Sequence, residues 1–185
     1  DLAVLCREAR LLSLPPERVW GELEKLLLRA PAPSMGWMLL HDLRIASKVL
    51  PDVADIPPEQ VAAALDRAAE RRSGVDGKGR KIVLMLSVML HNATPTQVEA
   101  TLNHLSVFRL YGVPVRKRVL ELTARWQRLT SPVDDSEIRR LADETEVLML
   151  AEVAAAVSGG PGPLVNLDRA AHLGIATEPL PVLLK

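Results

Sequence analysis

Pro15-Pro-Glu-Arg-Val-Trp-Gly-Glu-Leu-Glu-Lys-Leu-Leu27 is the stretch on which the reading of this chain turns. Val19, Leu23, Leu26 and Leu27 follow one another at spacings of four, three and one, which puts them on a single stripe of an α-helix. Glu17, Arg18, Glu22, Lys25 and Arg29 lie off that stripe. Pro15 and Pro16 sit where a first helical turn tolerates proline, because the N–H groups there would be unpaired in any case.

The same rhythm continues outward in both directions. Upstream, Leu2, Leu5, Ala9 and Leu12 mark an earlier helix. Downstream, Ser34 is expected to cap a helix through Met38, Leu39, Leu40 and Leu43. Glu59 to Arg72 reads as a further helix with Val61, Leu65 and Ala68 inward. Ile82 to Leu90 is apolar except for Ser87, so periodicity alone cannot separate a buried helix from a buried strand; its helical neighbours favour a helix. Thr94-Pro-Thr-Gln97 has the form of a capping box. Gly112 and Pro114 open a helix carrying Val115, Val119, Leu122, Trp126 and Leu129, and Asp134, Asp135 and Glu137 open one that runs on through Leu148 and Val153. A short helix from about Leu164 to Leu173 ends on Gly174. The expectation is an all-α fold of eight or nine helices, without a hairpin or a fixed-period repeat.

Composition narrows the classes. The chain has 185 residues, 48% of them hydrophobic and 25% charged, which suits a folded domain rather than a disordered segment. Lys+Arg and Asp+Glu are both 23, which excludes a globally basic nucleic-acid coat while leaving local patches open. Aromatics are only 3%, so Leu, Val, Ala and Met must build the core. A single cysteine, Cys6, excludes an internal disulfide and a multi-Cys zinc site. The apolar runs fall short of the roughly 18 residues of a membrane span, so no membrane partner is expected and the protein is placed in the cytoplasm. Asp1 begins inside a helical pattern and Lys185 directly follows an apolar stretch, so both ends are expected to be cuts through a longer protein.

The stretch from Cys6 to Leu27, with Glu17-Arg18-Val19-x-x-Glu22-Leu23-x-Lys25-Leu26-Leu27 at its centre, continues through Leu39-Leu40-His-Asp-Leu to Val49-Leu50-Pro51. It resembles the region that follows the catalytic head in class II tRNA nucleotidyltransferases (CCA-adding enzymes) and bacterial poly(A) polymerases. Val19 stands for the isoleucine of that pattern and Asp52 for its final glutamate. Met89-Leu-His91-Asn92-Ala sits where many bacterial members carry a Leu-His-Asp metal motif, and Leu167 to Ile175, then Pro181-Val-Leu-Leu, resembles the segment before their last element. The resemblance implies three parts: a neck and RNA-binding region over 1–56, a helical body with a degenerate HD-like segment over 57–158, and a truncated linker with a short helix over 159–185. It also implies that the catalytic head is missing, since this chain has no Gly-Gly-x-Val-Arg-Asp turn and no Glu-Asp-x-x-Arg motif. Magnesium belongs to that head, where paired carboxylates activate the attacking hydroxyl. No catalytic residue, metal ligand or cofactor is expected in this fragment, which would not transfer nucleotides alone. Glu17, Arg18 and Glu22 are expected to brace the helix start, with Arg18 and Glu22 pairing across one turn.

Basic residues are the remaining functional signal. Arg116, Lys117, Arg118, Arg125 and Arg128 share one expected helix with a single acid, Glu121. At about 100° per residue, Arg118 falls near Arg125 and Lys117 near Arg128, giving a ridge that could follow a phosphate backbone. Arg71, Arg72 and Lys81, with Arg67, Lys78 and Arg80, form a second cluster around the Ser73-to-Gly79 loop. The strongly acidic segment from Asp134 to Glu152 should repel RNA. Trp20, Trp37 and Trp126 read as core anchors rather than base-stacking surfaces. The expected partner is RNA, above all tRNA, and not DNA; a homodimer stays open. The competing readings are a metal phosphohydrolase of the histidine–aspartate type centred on His91, and a helical interaction module. His41-Asp42 reads as an ordinary surface pair, and neither a P-loop nor a dinucleotide-binding glycine motif is present.

Overall fold

The computed structural model describes residues 14–175, and the expected helix ending near Leu12 and the Pro181-to-Leu184 segment lie outside them. Among the described residues the fold is all-α, with ten α-helices and three 3-10 turns. Helix α1 is Pro16–Arg29, α2 Pro33–Asp42 and α3 Ala46–Val49, followed by the 3-10 turn Pro51–Val53. Then come α4 Pro58–Arg71, a 3-10 turn Arg72–Gly74, α5 Lys78–Met89, α6 Pro95–His104 and α7 Val115–Thr123. The 3-10 turn Trp126–Leu129 leads to α8 Asp135–Glu144, α9 Val147–Ser158 and α10 Gly162–His172.

Proline punctuates the bundle. It occupies the first turn of α1, α2, α4, α6 and α10, where its missing N–H costs nothing. The Thr94–Gln97 capping box forms in both directions at the start of α6. Helix α5 is the axis of the fold. Every residue from Ile82 to Leu90 is buried, and α1, α4, α7 and α9 pack against it. A stretch enclosed on all sides needs no polar face, which is why Ile82 to Leu90 is apolar but for Ser87. The charged Lys78, Arg80 and Lys81 are confined to the first turn of α5. One core cluster runs from Trp20 to Ala170 and includes Trp37, while Trp126 packs against it from the rim.

Arg67 of α4 and Arg72 of the 3-10 turn after it tie the two ends of the bundle together. Arg72 donates to the carbonyls of Leu27 (2.6 Å) and Ala30 (2.8 Å) at the end of α1. Arg67 donates to Ala156 (2.6 Å) and Val157 (2.8 Å) near the end of α9. Both satisfy carbonyls that a helix C-terminus leaves without an intrahelical partner.

Three local expectations are corrected. Ser34 does not cap α2: the helix starts on Pro33, and Ser34 instead donates its N–H (2.9 Å) and hydroxyl (2.6 Å) to Asp66 on α4. The helix expected over Val115 to Leu129 ends at Thr123, whose hydroxyl bonds back to the Val119 carbonyl at 2.8 Å. Trp126 then turns inward, its indole N–H donating to the His91 carbonyl at 3.3 Å. The acidic segment likewise forms two helices, because Thr145 is extended (φ −158°) and Glu146 is buried against Arg80.

Candidate nucleic-acid interface

The break after Thr123 undoes the continuous cationic ridge. Arg125 and Arg128 leave the helical register of Lys117 and Arg118 and turn toward α8. Arg128 donates to Glu137 at 2.7 Å and to Glu144 at 3.0 Å, and Arg125 reaches Glu144 at 3.2 Å. Hydrogen bonds from these arginines hold the Glu137 and Glu144 carboxyls below their ordinary range. Arg118 lies 3.9 Å from Glu146, Lys117 lies 3.7 Å from Glu121, and Arg116 pairs with Glu99. The acidic segment expected to repel RNA thus pairs with Arg118, Arg125 and Arg128, while Arg116 and Lys117 are matched by Glu99 and Glu121. Arg71 is similarly committed, its Nε 2.5 Å from Glu152, and Arg72 serves the end of α1. Within the Glu-Arg motif, Glu22 pairs with Lys25 at 2.7 Å rather than with Arg18. Arg18 instead borders an apolar groove between α1 and α2 lined by Leu23, Leu26, Leu39 and Leu40.

A different concavity gathers cations of another kind. Between α1 and the start of α5 lies a cavity of about 300 Å³ lined by Lys25, Arg29, Lys78 and Lys81, with Glu24 and Gly77 among its other walls. Lys25 is matched by Glu22 and Lys78 by Glu24, whereas Arg29 and Lys81 have no ion pair among the described residues. Helix α5 begins at this cavity on Gly77, without a side-chain cap, so its first N–H groups add positive potential. Of the second basic cluster singled out in the sequence, Lys78 and Lys81 lie here. Arg29 reads in the sequence as an off-stripe residue of α1 and Lys25 as that and as part of the Glu-Arg motif; their charge belongs to this cleft only once α1 is packed on α5.

One wall continues into the turn between α6 and α7. Leu110 and Val113 exchange hydrogen bonds of 3.0 and 2.9 Å across Tyr111 and Gly112, whose φ angles are 50° and 80°. Gly79 makes room for this turn, since a Cβ there would stand 2.9 Å from the Leu110 carbonyl oxygen. The Tyr111 hydroxyl meets Lys78 and donates to Glu24 at 3.1 Å, and Lys78 Nζ lies 4.2 Å from the centre of the ring. Tyr111 and Phe108 remain 56% and 48% exposed. The sequence reading passed over both. The interleaved Phe108-Arg109-Leu110-Tyr111 was the available signal.

The His91 position is built as core. His91 is buried, its Nδ1 bonds to the Val88 carbonyl at 2.7 Å, and its ring meets the edge of Trp126 at 5.5 Å. Burial lowers its pKa, against the opposing pull of the Val88 hydrogen bond. Asn92 donates to Gln60 at 3.1 Å. Among the described residues no group of three His, Cys, Asp or Glu side chains is placed to hold a metal. His41 stacks on Trp37 with ring centres 4.7 Å apart, and burial lowers its pKa as well.

Residues 5–56 match a family model described as the probable RNA and SrmB-binding site of polymerase A. The N-terminal part of the chain is thus similar to the RNA-binding portion of a poly(A) polymerase. The matched span takes in α1, α2, α3 and the turn Pro51–Val53, and with them Lys25 and Arg29 of the cleft. No curated protein and no solved structure matches the chain. Among the described residues no helix is long and apolar enough to cross a membrane.

Proposed function

We propose that this chain is the RNA-holding helical portion of a protein that adds nucleotides to RNA 3′ ends, of the tRNA nucleotidyltransferase and poly(A) polymerase kind. The chemistry would be carried by a catalytic head that binds magnesium. The observation that carries the reading is the placement of α1, within the matched span, so that Arg29 and Lys25 face Lys81 across a concave basic cleft. Cations without carboxylate partners are the ones that gain most from a phosphate, since they displace counterions rather than an existing ion pair. Arg118, Arg125, Arg128, Arg71 and Arg72 have another role in this reading: they hold the bundle that positions the cleft, while Lys117 pairs only within its own helix. Glu17, Arg18 and Glu22 belong to the brace at the start of α1. Recognition is by phosphate and shape, and tRNA is the RNA we infer.

The test is fluorescence anisotropy of labelled tRNA and of an oligoadenylate with the full chain across a salt series. Binding that weakens linearly in log salt is expected. Absence of binding to both RNAs at low salt would refute the role and leave the helical scaffold to a protein partner.

A further inference from the structure

Tyr111 occupies the first central position of a two-residue turn in which both central residues have positive φ. That geometry suits Asn, Asp or Gly there, and it strains a bulky aromatic residue. The core gains nothing in return, because the ring is more than half exposed. It is nevertheless held in place: its hydroxyl accepts from Lys78 and donates to Glu24, two residues that also line the basic cleft. Arg109 closes the same turn by donating to the Gly112 carbonyl at 2.9 Å. Phe108, the chain's one phenylalanine, projects from the adjoining segment with the Arg116 guanidinium 5.9 Å from its ring centre. An exposed, oriented aromatic ring at the rim of a cationic cleft is the combination that binds single-stranded nucleic acid, the ring taking a base and the cations its phosphates.

We infer that Tyr111 is a stacking platform for a nucleobase of single-stranded RNA, through the exposed ring, with the neighbouring phosphates held by Arg29 and Lys81. This deepens the RNA-binding reading and rests on it. The strained turn is then explained: it projects the ring beyond the bundle, and the Lys78 and Glu24 contacts fix its orientation before RNA arrives. Restricting the ring in advance reduces what ordering it would cost on binding.

The experiment uses the full chain and an oligoadenylate carrying an interior 2-aminopurine, whose fluorescence falls on stacking. Three variants are compared: Tyr111→Asn, Tyr111→Trp and the Arg29→Ala/Lys81→Ala pair. Tyr111→Asn suits the turn, so its Tm should equal or exceed that of the wild type. It should nonetheless lose the quenching and bind roughly tenfold more weakly, with an unchanged salt slope. Tyr111→Trp should keep both quenching and affinity. The Arg29/Lys81 pair should flatten the salt slope. If Tyr111→Asn binds and quenches like the wild type while the Arg29/Lys81 pair weakens binding, RNA is held by phosphate alone and the stacking role is wrong. If the wild-type chain binds no oligonucleotide at low salt, both this inference and the RNA-binding function fall.

Discussion

Arg72 donates from Nη1 to the carbonyl oxygen of Leu27, 2.6 Å away on the last turn of α1. With its second bond to Ala30, this makes Arg72 a cap for α1 delivered from the 3-10 turn that follows α4. A charge-assisted hydrogen bond contributes about 1.5–3 kcal/mol, and partial exposure of the guanidinium puts this one toward the lower end. Arg72→Ala is therefore expected to cost about 2 kcal/mol, a fall in Tm of roughly 4–8 °C. Calorimetry should show that loss with or without RNA; a variant as stable as the wild type would free Arg72 for a role in binding.

Ser87 is fully buried in α5, and its hydroxyl oxygen has no hydrogen-bond partner among the described residues. An unsatisfied buried hydroxyl costs about 1–3 kcal/mol relative to a shape-matched apolar group. Ser87→Ala is expected to raise stability by about 1 kcal/mol in urea denaturation. A loss of stability would mean that the hydroxyl is bonded in the folded protein.

Burial lowers the pKa of His91 below its value in the unfolded chain, about 6.5. Between the two values the unfolded state binds a proton that the folded state refuses, so stability is present above pH 6.5 and declines as pH falls below it. Tm should drop between pH 7.5 and 5.5, and His91→Gln should flatten that decline. His41 is shifted in the same direction, so some slope should remain in the variant. The carboxyls of Glu137 and Glu144, held low chiefly by hydrogen bonds from Arg128 and Arg125, lose their contribution in a separate window, as pH falls from about 4.5 downward. An unchanged Tm from pH 7.5 to 5.5 in the wild type would contradict the buried, neutral His91.

Thr94 accepts from the Gln97 N–H at 3.3 Å while Gln97 accepts from the Thr94 N–H at 3.0 Å. Loss of such a cap costs about 1 kcal/mol, so Thr94→Ala should lower the urea midpoint without altering the m-value. A changed m-value would point instead to disruption of the whole α5–α6 connection.

The fold was legible wherever local chemistry decides it. Prolines at first turns, the Thr94–Gln97 box and the stripe of Val19, Leu23, Leu26 and Leu27 each specify a helix within a few residues of chain. The stretch Ile82–Leu90, apolar but for Ser87, is ambiguous by periodicity and is settled by four helices packed around it. Ser34 and the two broken helices were misread because their outcomes depend on distant partners: Asp66 for Ser34, His91 for Trp126 and Arg80 for Glu146.

The site was less legible for the same reason. A helical wheel places Arg125 and Arg128 on a ridge, yet it cannot show that α8 folds back with Glu137 and Glu144 to meet them. Nor can spacing bring Arg29 to Lys81, which are 52 positions apart and share a cleft only because α1 packs on α5. Tyr111 was hidden by a turn whose positive φ angles no local preference for tyrosine would suggest.

The most direct test compares two double variants in the same RNA-binding salt series: Arg29→Ala/Lys81→Ala in the cleft, and Arg125→Ala/Arg128→Ala at the α8 contact. Each phosphate contact to single-stranded RNA contributes a slope of about −0.7 in log affinity against log salt. The cleft pair should weaken binding and lower the magnitude of that slope by about 1.4, whereas the α8 pair should lower Tm and leave the slope unchanged. A slope that falls in the α8 variant and holds in the cleft variant would contradict the account and return RNA binding to the arginines that follow α7.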